Sequence, residues 1–275
     1  MFEIIEKVVL AEGIKKMVIQ AKKIASKAAA GQFVMVIPEE NGERIPLTIA
    51  DHDSQNNAIT LIFQEVGYST KKLGSLKIGQ EVFSILGPLG HPTEIANFGK
   101  VVCVGGGVGI AELYPVCKAL KQAGNRVIGI MGARTKRLLI LESHLRRICN
   151  ELYITTDDGS YGTKGFVSDV LKNILNNQKD VSLIYAIGPV PMMRAVSELT
   201  KPYKIKTIVS LNPVMVDGTG MCGACRVRVG GKTLFGCVDG PEFDGHLVDF
   251  PELQKRLSLY KEQEICIDKK CRASL

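Results

Sequence analysis

Val101-Val102-Cys103-Val104-Gly105-Gly106-Gly107-Val108-Gly109-Ile110-Ala111 is the stretch on which the fold turns. Its first four residues read as a buried strand. Glycines then permit a tight turn, and the residues that follow predict a helix through about Gln122. Glycine at a strand-to-helix turn lets the backbone approach a phosphate, and the helix N-terminus favours its negative charge. Gly105, Gly106, Gly107, Val108 and Gly109 are therefore candidates for a dinucleotide site, although the same turn also serves close packing alone. The usual fingerprint is incomplete, because no acid ends the next strand, Arg126 to Met131. Gly132-Ala133-Arg134-Thr135 follows it instead, where Arg134 is either a contact for adenosine phosphate or ribose, or a solvated loop arginine.

Downstream, Leu152 to Thr155 and Leu183 to Ile187 read as further strands, with helical stretches near 138–149 and 163–177. Strands alternating with helices predict a parallel sheet over residues 98–208. Asp157 and Asp158, and then Gly188, Pro189 and Met192, follow two of these strands. They fall at the carboxyl edge of the sheet, where ligands bind in such folds.

Upstream, residues 1–97 carry short apolar runs, such as Gln32 to Ile37 and Ala58 to Phe63, bounded by Pro, Gly, Asn and Asp. That pattern predicts a small β-barrel, with one helix from Ser69 through Leu76. Arg44-Ile45-Pro46-Leu47-Thr48 lies inside it. An arginine there can pair with a pyrophosphate through its planar fork, and a hydroxyl four residues on can bond a ring nitrogen.

Beyond Ile208 the alternation ends. Residues 213–250 are rich in Gly and Asp, and residues 251–275 form a polar tail with a short helix expected from Glu252 to Glu262. Eight cysteines in a chain of 275 residues do not suggest a disulfide framework. Cys103 and Cys117 sit in apolar runs where burial is the default, Cys149, Cys266 and Cys271 are scattered, and Cys222, Cys225 and Cys237 are grouped. Three thiols so close, with glycines between them, favour a metal site, and both zinc and iron–sulfur centres want four ligands. Position 217, where a plant-type cluster pattern would begin, is Asp217. The expected set is Asp217, Cys222, Cys225 and Cys237. The alternatives are that Asp217 caps a turn, or that Asp239 serves instead.

The net charge of +7 comes without a zinc finger, helix-turn-helix or arginine-rich tract, so nucleic acid is not the expected partner. Lys15, Lys16, Lys22, Lys23 and Lys27 read as a solvated face or as a docking surface for an acidic electron carrier. No run approaches the ~18 apolar residues of a membrane span, and the acidic start Met1-Phe2-Glu3 is unlike a signal peptide. The expectation is a cytoplasmic protein.

Taken in order, Arg-x-Pro-Leu-Thr, the glycine run and Gly-Pro-x-Pro-Met-Met resemble the ferredoxin–NADP reductase superfamily across residues 1–208. The stretches Val216 to Cys225 and Gly236 to Phe243 are similar to one group in particular, the small subunits of NADH-dependent reduced ferredoxin:NADP oxidoreductases, which also pass as sulfide dehydrogenase subunits. The electron-transfer subunit of dihydroorotate dehydrogenase is a relative with four cysteines where this chain has Asp217. The resemblance implies an FAD-binding barrel over 1–97, an NAD(P)-binding α/β domain over 98–208, a [2Fe-2S] segment over 209–250 and a tail over 251–275. It implies FAD held by Arg44, Pro46, Leu47, Thr48, Gly67, Ser69 and Thr70, with Thr48 near flavin N5. It implies NAD(H) or NADP(H) in the α/β domain: Arg134 tolerates a 2′-phosphate, whereas the resemblance favours NAD(H). The chain departs from the superfamily at Leu47, where many members stack an aromatic ring on the flavin, and at Ile187, where many carry a cysteine. The implied activity is electron transfer between NAD(H) and a larger iron–sulfur flavoprotein subunit, with ferredoxin reached through the complex and electron bifurcation as its outcome. Rival expectations are a dihydroorotate dehydrogenase or sulfide dehydrogenase electron-transfer subunit, and a zinc-stabilised binding module.

Overall fold

The computed structural model describes residues 2–272, with side chains described through Ile267. Met1 and residues 273–275, at the ends of the expected barrel and tail, lie outside the described residues.

The N-terminal part contains β1 (Ile4–Ala11), β2 (Ile14–Gln20), a short helix α1 (Lys22–Ala25), β3 (Phe33–Ile37), β4 (Ile45–Asp53), β5 (Ala58–Gln64), α2 (Tyr68–Ser75) and β6 (Ser84–Leu89). Its strands lie in the order β1-β2-β5-β4-β3-β6, and all pairs are antiparallel. The chain entering β6 then returns to β1: Glu3 bridges Glu81, and the Val82 amide donates to the Phe2 carbonyl. Closure removes free sheet edges, as in a small barrel. Alternation sets the faces. Ile45, Leu47 and Ile49 pack with Val34, Val36, Leu61 and Phe63 inside the barrel. Pro46 and Thr48 therefore face outward.

The next part contains β7 (Lys100–Gly106), α3 (Gly109–Gln122), β8 (Arg126–Ala133), α4 (Glu142–Ile148), β9 (Glu151–Thr156), β10 (Thr163–Lys164), α5 (Val167–Asn177), β11 (Val181–Ile187), α6 (Val190–Thr200) and β12 (Lys206–Ser210). The expected helices near 138–149 and 163–177 are shorter, because a 3-10 turn at Lys136–Leu138 and the strand β10 occupy their starts. Two apolar clusters sandwich the sheet, one built on Val102, Ile128 and Ile184, the other on Cys103, Leu113 and Met131.

The glycine-rich third part contains more strand than its sequence suggests: β13 (Arg226–Val229), β14 (Lys232–Phe235) and β15 (Glu242–Asp244). Gly230 and Gly231, both at positive φ (58° and 78°), make the two-residue turn of the β13–β14 hairpin. Strand β15 pairs antiparallel with β12, so the α/β sheet runs β10-β9-β8-β7-β11-β12-β15. The tail forms two helices, α7 (Phe250–Leu257) and α8 (Lys261–Arg272), where one short helix was expected. Asp249 caps α7 by accepting the Glu252 amide at 3.0 Å. Among the described residues no helix is long and apolar enough to cross a membrane.

Candidate functional site

The sheet order reverses between β7 and β11, which places a crevice at the carboxyl ends of those two strands. A cavity of about 870 Å³ opens there. Of the residues read from sequence, Gly106, Gly107, Val108, Gly109, Arg134, Asp157, Gly188, Pro189 and Met192 line it. Gly105 does not. A Cβ at Gly105 would meet Leu113 Cδ2 at 3.0 Å, so this glycine serves strand–helix packing. Asp158 does not line the cavity either. Its carboxylate accepts the Ser160 amide at 2.9 Å, and bonds from the Ser160 side chain and backbone hold it below the usual range.

Sequence reading missed the other wall. Ile14, Gln64 and Val66 reach the cavity from the barrel, so it lies between barrel and sheet. Phe166 and Asn212 also line it. Glu112, in the first turn of α3, lines it as well. Burial raises the Glu112 carboxyl to about 7, and a hydrogen bond from the Thr48 side chain opposes that rise. The signal for Glu112 was present: it is a lone acid among the apolar residues Ile110, Ala111 and Leu113.

On the barrel, Thr48 faces outward toward α3, while Leu47 turns inward to the barrel core. Arg44 is exposed just before β4. Helix α2 starts at Gly67, whose side-chain direction is open space. The Thr70 hydroxyl is spent on that start: it accepts the Val66 and Gly67 amides at 3.0 and 3.1 Å and donates to the Gly67 carbonyl at 3.0 Å. Ser69 donates to Glu43 at 3.4 Å, a long and weak bond.

The cysteine segment folds against the barrel. Cys225 and Cys237 are buried with Phe33, Met35 and Met215, and their sulfurs are 3.3 Å apart. Gly218, at φ 77°, lies so close to Met35 that a Cβ would meet its Cγ at 2.5 Å. Backbone amides point at the sulfurs: Ala224 donates to Cys222 Sγ at 3.5 Å and Cys237 to Cys225 Sγ at 3.4 Å. Burial, with Cys225 adjoining, pushes the Cys237 thiol up to about 12, so a metal centre would have to displace that proton. Asp217 stands at the loop's opening. One carboxylate oxygen accepts the Thr219 amide and hydroxyl, and the other accepts the Cys222 amide at 2.8 Å. These bonds, the Thr219 amide first, hold its carboxyl below the usual range. Asp239 accepts the Phe235 amide at 2.7 Å. Among the described residues no three His, Cys, Asp or Glu side chains are gathered as a metal site. Cys225 and Cys237 touch, while Cys222 and Asp217 share the adjoining exposed loop.

A buried carboxylate ties the three parts together. Glu242 on β15 accepts from Thr93, in the connection between barrel and sheet, and from Tyr185 of β11 at 2.7 Å. Burial is the first cause of its raised pKa, and the bonds from Thr93 and Tyr185 oppose it. Glu242→Ala would leave two buried hydroxyls without their acceptor. The expected cost is about 2–4 kcal/mol, at roughly 1–3 kcal/mol for each stranded group, read by denaturant unfolding. A raised carboxyl pKa gives stability that is complete below the unfolded-state value and is lost as pH rises through the folded value. Wild type should therefore lose melting temperature relative to Glu242→Gln as pH rises through that window. A gap independent of pH would show that Glu242 is not buried in a protonation-sensitive setting.

Known proteins share this arrangement. Residues 103–198 match the oxidoreductase NAD-binding domain family, and residues 212–249 match the iron–sulfur cluster binding domain of dihydroorotate dehydrogenase B. An uncharacterized Clostridium beijerinckii protein is 48% identical over 96% of this chain and 92% of its own. A Thermotoga maritima homolog of the dihydroorotate dehydrogenase B (NAD(+)) electron transfer subunit is 46% identical over 95% of this chain and 92% of its own. In the solved structure of an NADH-dependent reduced ferredoxin–NADP oxidoreductase, one chain superposes with a TM-score of 0.94 at 44% identity, covering 98% of this chain and 97% of that one.

Proposed function

This chain belongs to the family of dihydroorotate dehydrogenase B electron-transfer subunits and their homologs, and from that membership we propose that it is the flavin- and iron–sulfur-bearing electron-transfer subunit of an NADH-dependent reduced ferredoxin–NADP oxidoreductase. The observation that carries this reading is the near-complete superposition on a chain of such a complex, at 44% identity. The resident groups are FAD and one [2Fe-2S] cluster, and the substrate is NAD(H) or NADP(H).

The residues fit these groups. The outward-facing Thr48 and Pro46, the exposed Arg44 and the α2 start at Gly67 and Ser69 offer a hydroxyl, a cation and helix amides along one side of the barrel, as FAD requires. Leu47 would act from behind, by packing that strand, and Thr70 by holding the α2 turn open at Gly67. Gly106 to Gly109, Arg134, Asp157 and Gly188 to Met192 would hold the nicotinamide nucleotide in the cavity. Cys222, Cys225 and Cys237 supply three thiols with amides already aimed at them, and Asp217 supplies a carboxylate already held at low pKa. FAD accepts hydride and releases electrons singly, and the cluster carries single electrons. The chain's own work is to orient the nicotinamide between barrel and sheet and to exclude water through the apolar walls Ile14, Val66 and Ile187. We divide it into the barrel at 1–97, the nicotinamide domain at 98–208, the cluster segment at 209–250 and the tail at 251–275.

The partner is a larger iron–sulfur flavoprotein subunit, with ferredoxin served through the complex, and the place of work is the cytoplasm, where the described cysteines, all free, would stay reduced. A second reading, service to a dihydroorotate dehydrogenase, is favoured by the match over 212–249. Anaerobic absorption, with flavin, iron, sulfide and zinc assayed on one sample, tests the scheme. One flavin and about two irons and two sulfides per chain, bleached by NADH, are expected. Zinc without flavin would sink it. Capture of the native partner separates the two readings, by whether that partner carries iron–sulfur clusters or oxidises dihydroorotate.

A further inference from the structure

Two arginines bracket the turn Cys222-Gly223-Ala224-Cys225, and they reach it from different elements. Arg256 belongs to α7. Phe250 and Leu253 of that helix are buried in one apolar cluster with Val227 and Val229 of β13, and Leu257 packs against the same cluster. The Asp249 amide, at the start of α7, donates to the Arg228 carbonyl at 2.8 Å. These contacts seat α7 beside the strand that follows Cys225. One turn beyond Leu253, the half-buried Arg256 extends to the turn, where its Nη2 donates to the Ala224 carbonyl at 3.0 Å. Arg226 is exposed and folds back over the same turn. A Cβ at Gly223, which stands at φ 67°, would meet Arg226 Nη1 at 3.2 Å. Among the described residues, neither guanidinium has a carboxylate within ion-pair distance.

A guanidinium stays charged at every working pH. Half-buried with no acid beside it, Arg256 gives up hydration for a single carbonyl, so its charge lacks a counterpart in the chain itself. The ligand set supplies one. In the centre proposed above, on which this inference rests, two ferric ions, two sulfides, three thiolates and a carboxylate sum to a dianion, and one added electron makes a trianion. Coulomb attraction grows with the charge attracted, so a fixed cation favours the reduced form over the oxidised one. We infer that Arg256, with Arg226 in support, sets the reduction potential of the cluster and positions the turn that carries two of its ligands. The bond to Ala224 fixes where the charge stands. That carbonyl belongs to the peptide joining Ala224 to Cys225, and the Ala224 amide donates to Cys222 Sγ at 3.5 Å. One residue of the turn is thus tied at one end to a ligand sulfur and at the other to Arg256. The raised potential favours passage of an electron from the flavin to the cluster.

Charge and anchoring separate by substitution. Arg256→Gln keeps a hydrogen-bond donor and removes the charge, whereas Arg256→Lys keeps the charge and removes the planar fork. A residue that served only to tie α7 to the turn would change the mobility of the turn in both variants and leave both potentials where they were.

The test is an anaerobic, mediated redox titration of the flavin- and iron-loaded chain, with cluster reduction read by electron paramagnetic resonance. Hydrogen exchange at the Ala224 and Cys225 amides is followed on the same proteins. At the wild-type midpoint, Arg256→Gln should lower the ratio of reduced to oxidised cluster about tenfold, a fall of about 59 mV for one electron. Arg256→Lys should stay within about threefold of wild type, because its charge remains. Exchange at Ala224 should quicken in both, since neither side chain reproduces the fork. The gap in potential between wild type and Arg256→Gln should narrow as salt rises, as screening requires. Arg226→Gln should show a fall of its own that adds to that of Arg256→Gln in the double variant. If Arg256→Gln titrates at the wild-type potential, or Arg256→Lys falls as far as Arg256→Gln, the inference is overturned and the functional reading stands. Should Arg256→Gln fail to retain iron, Arg226→Gln decides by the same titration, and an unchanged potential there overturns the inference. A wild-type chain that takes up no cluster overturns the inference and the functional reading together.

Discussion

Cys237→Ser should yield a folded flavoprotein with under a tenth of the wild-type iron and at least a hundredfold loss of electron delivery to any one-electron acceptor. A serine hydroxyl is a hard, poorly ionised donor where an iron–sulfur centre takes thiolate. The position is also unforgiving. Cys237 is 4% exposed, touches Cys225 and sits in an apolar cup of Phe33, Met35 and Met215. An unpartnered hydroxyl buried there costs about 1–3 kcal/mol in addition. NADH should still bleach the flavin, because the cavity at the β7–β11 crevice is lined by residues that the cup does not include. Iron assay and anaerobic titration with NADH check the two halves separately. If iron stays at about two per chain, Cys237 is not a ligand.

Asp217 behaves differently under the same test. It is half-buried, and both of its carboxylate oxygens are engaged by the loop. Asp217→Cys keeps a possible ligand but loses the cap, so iron should be retained with a changed potential and spectrum. An unchanged potential would confine Asp217 to capping.

Particular residues show why some of this was legible and some was not. The strand at Val101 to Val104, the glycine turn and α3 ending at Gln122 were readable because a continuously apolar strand, a glycine run and a helical period stand side by side. The barrel strands at 33–37 and 58–64 were readable from their turn residues. The hairpin β13–β14 and strand β15 were hidden, since their stability comes from pairing partners far along the chain: β15 exists because β12 offers it an edge. Sequence spacing could list Leu47 and Thr48 together. Only the β-pleat separates them, sending Leu47 into the barrel and Thr48 toward α3. Glu112 was missed for a related reason. It stands out locally as a lone acid among Ile110, Ala111 and Leu113, but that it lines a cavity shared with Ile14, Gln64 and Val66 of the barrel depends on how the two parts pack. Thr70, by contrast, was placed at the right turn, where its hydroxyl proves to be spent on backbone amides.

Gly109→Ala should abolish reduction by NADH while leaving reduction by dithionite. The site is tight for a specific reason. A Cβ at Gly109 would lie 2.8 Å from the Ile187 carbonyl oxygen and 2.9 Å from Gly188 Cα, both backbone atoms at the end of β11. Backbone cannot rotate away as a side chain does, so α3 and the β11 turn must part at the point where the sheet order reverses. Overpacking of this kind costs about 1–3 kcal/mol, and it displaces both walls that would grip the nucleotide. Gly107→Ala makes the necessary comparison. Gly107 has φ of 58° and nothing within 4 Å of its Cβ direction, so alanine there meets no neighbour and bears only the left-handed backbone cost of about 1–2 kcal/mol. Yet that direction lies in a residue lining the cavity, so a methyl group there would occupy space needed by phosphate. The two variants should thus lose NADH affinity together, by a hundredfold or more, for different reasons. Gly109→Ala should also loosen the sheet edge, seen as faster amide exchange at Ile187 and Gly188, while Gly107→Ala leaves those amides protected. NADH titration and hydrogen exchange on both proteins decide it. Should Gly109→Ala keep wild-type affinity, the reversal point between β7 and β11 is not where the nicotinamide nucleotide binds.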